Sequence, residues 1–241
     1  FGMDELLARI RAAIRRSSIN DEAPSVVTDH FVIDLGAHTI SRSDGQDVSP
    51  SAQARLVAAL FDHWGLEEPD VVAHDIGASV ALGALLFEGC AARRLILIDA
   101  AVLNPCISSN SRHVRRFLEA YQTMPGQLHE TIMRSHIPTT MFTAMDEATF
   151  SGYFQPWSGQ AGQAAYYRFL GQLDEGYLDR IEGELGQLHV PTRIIWGAED
   201  TWIPFSHAER LAALIPDSEV VMIPEAGHFV ADDAPEPLLA A

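Results

Sequence analysis

The sequence predicts an α/β fold built on a mostly parallel sheet. Short apolar runs typical of buried strands alternate with amphipathic segments of helical length. The run "RRLILIDA" at residues 93–100 has an apolar centre without interruption, as in a strand that is buried on both faces. The stretch "VVAHDIGASVALGALL" at residues 71–86 passes from a short strand through a polar turn directly into an apolar helix. This alternation predicts right-handed crossovers between parallel strands.

The first 45 residues predict a different set of elements. The segment "DELLARIRAAIRRS" places its apolar residues on one face of a helix, and "SINDEAP" is a polar linker. The segment "SVVTDHFVIDLGAHTISRSDGQDV" predicts two or three short strands with breaks at Gly36 and Gly45. A helix is then expected to start at Ser49, as its N-cap, with Pro50 in the first turn.

Residues 107–188 interrupt the alternation of strands and helices. Several amphipathic segments follow one another there without a strand signal, which predicts an all-helical insertion. The alternation then resumes with the strand "TRIIWGAED", the helix "HAERLAALI", the strand "EVVMIPEAG" and the terminal helix "APEPLLAA". We therefore expect an N-terminal segment at 1–45, a core at 46–106 and 189–241, and a helical cap at 107–188.

Composition excludes several classes of partner. The chain has 16 Lys plus Arg against 33 Asp plus Glu, a formal net charge of −17, which predicts repulsion from nucleic acid and from anionic membranes. No apolar stretch approaches the roughly 18 residues that span a bilayer, and no secretory signal is visible. The two cysteines, Cys90 and Cys106, are too few for a disulfide framework. These features predict a cytoplasmic protein with reduced thiols.

Three candidate catalytic residues follow strands, in the order nucleophile, acid, histidine. Asp75 lies on the strand-to-helix turn, Asp200 ends "RIIWGAED", and His228 follows the next strand in "PEAGH". A lone aspartate after a strand is usually a cap or turn residue, but three such positions in this order are unlike chance. The order, together with "WGAEDTWIP" and "IPEAGHFVADDAPE", resembles the α/β-hydrolase superfamily from about residue 45 to 241. The resemblance implies the α/β-hydrolase fold with a cap.

An aspartate at the turn changes the expected chemistry. A serine there would suggest acyl transfer, whereas a carboxylate suits attack on a saturated carbon that carries a halide or forms part of an epoxide. His228, oriented by Asp200, would then activate water to hydrolyse the resulting ester. The sequence "HDIG" at residues 74–77 resembles haloalkane dehalogenases, fluoroacetate dehalogenases and epoxide hydrolases.

The position after the nucleophile departs from those groups. They place Trp or Arg there, whereas this chain has Ile76, which offers only its backbone N–H to an oxyanion or leaving group. Other donors would come from the cap, and Trp157 is our first candidate. The alternatives are Tyr153, Tyr166 and Tyr167, and all four aromatic residues could instead form the core of the cap. Trp202 is expected to pack rather than to bind a ligand.

Other titratable residues leave smaller alternatives open. Asp99 ends the strand "LILIDA" and is a second candidate for the acid, as in some dehalogenases, although the motif around Asp200 favours the latter. His113, His129 and His136 lie on predicted cap helices without metal-ligand spacing. No glycine-rich phosphate loop is present, so no cofactor is expected.

The N-terminal segment does not resemble a hydrolase. The family's first strands, and the His-Gly loop that supplies a second oxyanion donor, are not recognisable. Residues 1 to about 50 instead resemble the end of a receiver domain and the small sheet that opens the winged helix of OmpR-type regulators such as KdpE. The chain thus resembles a chimera with its junction in residues 41–60.

Two functions remain open at this stage. The chain is either a hydrolase that acts with water on a small apolar halide, epoxide or ester, or a catalytically impaired homologue with a structural or regulatory role. A DNA-binding function is disfavoured because no recognition helix is recognisable and the charge is negative. We call the strand-to-helix turn at Asp75 the elbow and the strand before it the elbow strand. This strand would lack its usual neighbour in the sheet. We therefore expect residues 25–43 to cover it, within the chain or exchanged between two copies in a homodimer.

Overall fold

A computed structural model describes residues 25–27, 31–34, 39–42 and 47–241. The three short pieces are strands β1 (Ser25–Val27), β2 (Phe31–Asp34) and β3 (Thr39–Arg42), which pair antiparallel in the order β1-β2-β3. The expectation of short strands in this region is confirmed. The predicted helix near the N-terminus and the linker after it lie outside the described residues.

The main sheet has four parallel strands in the order β4-β5-β6-β7. They are β4 (Asp70–His74), β5 (Arg94–Ile98), β6 (Thr192–Gly197) and β7 (Ser218–Ile223). The register aligns their carboxyl ends, since His74 faces Ile98 and Ile98 faces Ile195. The residues that follow these strands therefore meet at one edge of the sheet, where α/β proteins bind their ligands.

Helices precede, connect and follow the strands of the main sheet. Helix α1 (Pro50–Trp64) begins at the predicted N-cap, where Ser49 Oγ accepts a hydrogen bond from the backbone N–H of Ala52. Helix α2 (Ile76–Phe87) starts directly at the elbow and packs against α1. The C-terminal part adds α9 (Ser206–Leu214), α10 (Val230–Asp233) and α11 (Pro235–Ala240).

Between β5 and β6 all the regular structure is helical. The α-helices are α3 (Ser109–Arg116), α4 (Leu118–Thr123), α5 (Gly126–His136), α6 (Glu147–Phe154), α7 (Gly159–Gly171) and α8 (Glu175–Glu184). Three short 3₁₀ turns lie among them, at Ile137–Thr140, Gln155–Trp157 and Leu185–Gln187. Within the described residues every helix is too short or too polar to span a membrane.

The hydrophobic core lies between the sheet and the helices that pack on it. Trp196 of β6 is fully buried, and its indole N–H donates to the carbonyl of Ile203. Leu82 of α2 and Leu97 of β5 are also fully buried in the same cluster. This packing fixes the strand ends that carry the site residues.

The elbow strand β4 is the outer strand of its sheet among the described residues. Val72 in its middle is 62% exposed, and an apolar groove of about 460 Å³ runs beside it. The described strands β1–β3 form their own sheet and do not pair with β4, so the expectation that these strands extend the main sheet at this edge within the chain is wrong. Every described residue of these three strands has an antiparallel partner in another of the three. Exchange between two copies stays a prediction.

Gly197 at the end of β6 provides a test of the packing at the strand ends. A Cβ at this position would overlap the carbonyl oxygens of Gly227 and Ala226. Both residues lie in the loop after β7 that carries His228, which we call the histidine loop. We therefore expect Gly197→Ala to lower the free energy of unfolding by about 1–3 kcal/mol, as overpacking does. Urea unfolding followed by circular dichroism measures the change.

Gly183→Ala is the matched control for this substitution. Gly183 lies in α8, is exposed, and its added Cβ would meet nothing within 4 Å. Alanine there should leave the stability unchanged or raise it by up to about 1 kcal/mol through helix propensity. Equal stability of the two variants would contradict the close approach of β6 to the histidine loop.

Candidate active site

Asp75 occupies a strained backbone position between β4 and α2. Its φ of 49° and ψ of −127° lie outside the regions that non-glycine residues favour. Three backbone hydrogen bonds hold this conformation: the N–H of Asp75 donates to Ile98, and its carbonyl accepts from Ala78 and Ala101. The turn thereby presents the Asp75 carboxylate to the cavity above the sheet, with 35% of the side chain exposed.

Asp200 and His228 meet at the same edge, from the loops after β6 and β7. His228 Nδ1 donates to Asp200 Oδ2 at 2.9 Å, and both side chains are buried. The other oxygen of Asp200 accepts the backbone N–H groups of Trp202 and Ile203. His228 Nε2 lies 3.5 Å from Asp75 Oδ1, at the outer limit of a hydrogen bond. The structure thus brings together the three residues that the sequence singled out.

The two carboxylates set the charge of the histidine. Burial disfavours the imidazolium, but hydrogen bonds and charges of Asp200 and Asp75 outweigh burial and raise the pKa of His228 to about 10. Burial likewise opposes ionisation of Asp75, yet the hydrogen bond and positive charge of His228 hold the pKa of Asp75 below its ordinary value. The resting site is therefore an imidazolium between two carboxylates.

Asp99 lies beside this pair but does not hold the histidine. Its Oδ1 accepts the backbone N–H of Gly197 at 2.9 Å, and the side chain is fully buried. One donor atom each of Asp99, Asp200 and His228 lies within 4.8 Å of the others, which is a possible metal-ligand spacing. The 2.9 Å bond between His228 and Asp200 accounts for two of these residues, so we interpret the group as a hydrogen-bonded charge cluster.

His74, which precedes the elbow residue, was missed by the sequence interpretation. Its Nε2 donates to the backbone carbonyl of His228 at 2.8 Å, and its ring packs on the ring of His228. Burial lowers the pKa of His74, which keeps the ring neutral. The side chain thus ties the elbow to the histidine loop. The position of a histidine beside Asp75 was the available signal, but its partner is 154 residues away.

Asp233 in α10 was also missed. Its carboxylate accepts four hydrogen bonds: the backbone N–H groups of Gly227, Phe142 and Thr143, and the Thr143 hydroxyl. These donors come from the histidine loop and from the segment that follows the first 3₁₀ turn of the insertion. The Phe229 N–H also donates to the carbonyl of Thr140. The helical insertion is therefore bonded directly to Phe229 and, through the Asp233 carboxylate, to Gly227, the two neighbours of His228.

A cavity of about 500 Å³ lies above Asp75 and Ile76. Its lining is mostly apolar and aromatic, with Met133, Phe169, Leu173 and Phe229 among the contributors. None of the described lining residues is an arginine, and the chain contains no lysine. The described lining therefore offers no positively charged Lys or Arg side chain to an anionic group.

The four cap aromatics occupy different positions. Trp157 and Tyr166 both line the cavity, with their rings 5.5 Å apart. Tyr153 also lines it, but its hydroxyl donates to Asp232 at 2.5 Å. Tyr167 is buried in the cap, where its hydroxyl bonds to His129. The core alternative therefore describes Tyr167 correctly, whereas Trp157 and Tyr166 face the cavity.

Trp202 combines packing with a place in the cavity wall. Its ring stacks on His228 at 5.3 Å and on His136 at 4.4 Å, and its indole N–H donates to the hydroxyl of Thr139. The N–H is therefore occupied, while the ring lines the cavity. The expected packing role agrees with these contacts.

The remaining histidines and cysteines are dispersed. His129 donates from Nε2 to the carbonyl of Trp157, so its Nδ1 accepts from Tyr167 inside the cap. His113 is exposed on α3. Cys90 and Cys106 are both free thiols, and Cys106 lies in the cavity wall.

Comparison with known proteins agrees with this geometry. A model of the α/β-hydrolase family matches residues 22–241, starting upstream of residue 45, where we placed the start of the resemblance. The uncharacterised hydrolase YugF of Bacillus subtilis is 24% identical over 76% of this chain and 67% of its own length. The sn-1-specific diacylglycerol lipase ABHD11 of Mus musculus is 22% identical over 81% of this chain and 64% of its own length. The chain thus spans about two thirds of these relatives.

Solved structures give the same result. An α/β-hydrolase fold protein from Burkholderia ambifaria is 34% identical, with a TM-score of 0.77 over 80% of this chain and 72% of that one. The haloalkane dehalogenase DatA of Agrobacterium tumefaciens is 17% identical, with a TM-score of 0.66 over 84% of this chain and 74% of that one. At that identity the likeness to DatA shows the fold alone.

The transcriptional regulator KdpE of Mycobacterium tuberculosis is a relative of a different kind. It is 37% identical over 90 residues, which is 36% of this chain and 34% of the regulator. The matched span is longer than the 50 residues for which we expected this resemblance. Because the match covers only about a third of either chain, it gives limited support to a regulator-like segment.

Removing Asp75 should lower the pKa of His228. In Asp75→Asn the histidine keeps Asp200 but loses one carboxylate, so its pKa should fall from about 10 toward its ordinary value. Asp200→Asn should lower it as well, because it removes the 2.9 Å bond. Ring ¹⁵N chemical shifts measured against pH follow both changes.

Asp217→Asn is the control for charge alone. Asp217 has a positive φ that asparagine tolerates, and it precedes β7, so the whole length of that strand separates it from the loop that carries His228. A His228 pKa that stays the same in all three variants would contradict the charge cluster. Because the folded pKa of His228 exceeds 6.5, the stability that its protonation contributes is complete below about pH 6.5 and is lost as pH rises through about 10, whereas the contribution of Asp75, with its lowered pKa, is lost in acid.

Proposed function

Because this chain belongs to the α/β-hydrolase family, we propose that it is a hydrolase whose nucleophile is the Asp75 carboxylate. The observation that carries the proposal is the position of this carboxylate. It sits on the strained elbow turn, 3.5 Å from a histidine that bonds to Asp200. Nucleophile, base and orienting acid are thereby within reach of one another.

The proposed reaction takes place in two steps. In the first, an Asp75 oxygen attacks a saturated carbon, a carbon–halogen or epoxide carbon–oxygen bond breaks, and its electron pair leaves with the halide or alkoxide. The product is an ester between Asp75 and the substrate. In the second, His228 takes a proton from water, and the resulting hydroxide attacks the ester carbonyl. The tetrahedral intermediate collapses, the departing alkoxide takes the proton back from His228 and leaves as the alcohol, and the Asp75 carboxylate is restored.

The charge cluster accounts for the order of these steps. The resting imidazolium is stabilised by the negative charge of Asp75. Formation of the ester removes that charge, so the pKa of His228 falls and its proton can be released. The same histidine then becomes a neutral base at the moment when water must be activated.

The cavity supports a small uncharged substrate. Its walls are apolar, and the described lining residues offer no guanidinium to pair with a substrate carboxylate. The Asp75 charge would also repel an anion before reaction. Halides and epoxides without a carboxylate group are therefore favoured over haloacids.

The elbow and the cap each supply candidate hydrogen-bond donors for the leaving group and the oxyanion. The Ile76 N–H lies at the start of α2, where the helix dipole favours negative charge. Tyr166 is the stronger cap candidate, because its ring lines the cavity and the Asp75 charge adds to burial in raising its pKa. Trp157, our first candidate, lies beside it and remains a second donor.

Ester hydrolysis and catalytic impairment are the alternatives. The lipase among the relatives argues for esters, but an aspartate attacking an ester carbonyl would form an anhydride rather than a stable acyl-enzyme. The exposed β4 edge favours an impaired homologue, because the side of the elbow opposite Ile76 has no described strand to supply a second donor. Displacement at a saturated carbon depends less on such a donor, which favours the first function.

Substitution of the triad tests the mechanism directly. We expect Asp75→Asn to abolish turnover of haloalkanes or epoxides, because the amide is not a nucleophile. His228→Gln should still form the ester but not hydrolyse it, so mass spectrometry should detect a covalent adduct on Asp75. Asp217→Asn, which removes the same charge at a distance, should keep wild-type turnover.

The outcome separates the candidate functions. Turnover without an adduct in His228→Gln would exclude the alkyl-enzyme route. Neither turnover nor an adduct with any haloalkane, epoxide or ester in the wild-type protein would favour the impaired homologue.

Tyr166→Phe tests the cap donor. The substitution removes only the hydroxyl, and we expect the first step to slow by about 10²-fold, as loss of one stabilising donor does. Tyr167→Phe is the matched control, since its hydroxyl bonds to His129 away from the cavity. Single-turnover measurement of adduct formation gives the rate, and equal rates for the two variants would contradict the role of Tyr166.

A further inference from the structure

Asp99 is a buried acid that no step of the proposed reaction uses. It follows β5 directly, in a left-handed conformation with φ of 40°, and its side chain is fully buried. The Oδ1 atom accepts the N–H of Gly197, whereas no donor among the described residues faces Oδ2. A buried ionised carboxylate in this setting would carry one unsatisfied oxygen, which is costly.

Its titratable neighbours come from two different loops. Among the described residues, the ionisable groups that act on Asp99 are Asp200, after β6, and His228, after β7. One carboxylate oxygen of each aspartate and one ring nitrogen of His228 lie within 4.8 Å of one another. Two carboxylates so close in a buried site resist simultaneous ionisation, because one positive histidine cannot compensate both.

The hydrogen bonds decide which carboxyl keeps the proton. Asp200 accepts from two backbone N–H groups and from His228 Nδ1, which all favour its ionised form. Asp99 accepts from one backbone N–H alone. The proton therefore belongs on Asp99, whose Oδ2 has no partner and whose carboxyl group interacts with that of Asp200.

We propose that Asp99 is a neutral carboxylic acid that donates a hydrogen bond to Asp200 and so limits the acid pair to one negative charge facing His228. This inference rests on the proposed function for its role in turnover. Asp99 is a positioning residue, since it acts through Asp200 and does not touch the substrate. Burial, which is the largest effect, raises the pKa of Asp99 to about 8.

The single charge has a consequence for the hydrolysis step. His228 must lose its proton once Asp75 has become an ester, and a second negative charge beside the ring would hold that proton. We therefore expect hydrolysis of the ester to slow as pH rises above about 8, where Asp99 ionises. Asp99→Asn keeps a neutral donor at this position, so its rate should not fall in that range.

A titration that needs no substrate tests the protonation state. In wild-type protein with ¹³C-labelled aspartate side chains, one carboxyl signal should titrate near pH 8. The ring ¹⁵N signals of His228 should respond in the same range. Asp99→Asn should remove both inflections, and Asp200→Asn should move the carboxyl signal to lower pH because the neighbouring charge is gone.

The possible results are distinct from those of the function tests. A wild-type spectrum without an aspartate that titrates near neutral to alkaline pH would overturn the proposal, as would an inflection that persists in Asp99→Asn. If no substrate is turned over, the titration still decides the state of Asp99, so failure of the proposed function is recognised separately. Should Asp99→Asn fail to fold, the wild-type and Asp200→Asn titrations give the same decision.

Discussion

The arrangement of the site depends on one interaction, the pairing of a buried histidine with carboxylates on both of its nitrogens. Burial alone would make His228 neutral, and only Asp200 at 2.9 Å and Asp75 at 3.5 Å reverse that preference. The three side chains come from separate loops, so the pairing requires those loops to be held closely. Strain at Asp75 and the crowded approach at Gly197 follow from that requirement.

Parallel pairing provides the scaffold for this charge cluster. The register aligns the ends of β4, β5 and β6, which delivers Asp75, Asp99 and Asp200 to one edge. His74 and Asp233 then fix the histidine loop, from the elbow and from α10 respectively. Asp233 also accepts the backbone N–H groups of Phe142 and Thr143, so the histidine loop and the helical insertion share one anchor.

Within the described part of the chain, β4 has no strand on its outer side. The elbow strand exposes Val72 and an apolar groove, while β1–β3 form a sheet of their own. The chain spans about two thirds of YugF and of ABHD11, so it is shorter than proteins that share its core. The charge cluster of Asp75, Asp200 and His228 lies after the carboxyl ends of β4, β6 and β7.

Sequence periodicity determined the strands, the helices and the parallel order, because burial patterns and turn residues are local. Motif order also identified Asp75, Asp200 and His228, since each follows a strand at a recognisable loop. The neighbour of β4, the exclusion of Tyr167 from the cavity and the contacts of His74 and Asp233 were decided only by tertiary structure. Most of their partners lie tens of residues away or more, and no local pattern encodes a distance across the sheet. The motif around Asp200 already favoured this residue over Asp99 as the partner of His228. The partner of Asp99 itself, the backbone N–H of Gly197, lies 98 residues away and was decided only by the tertiary structure.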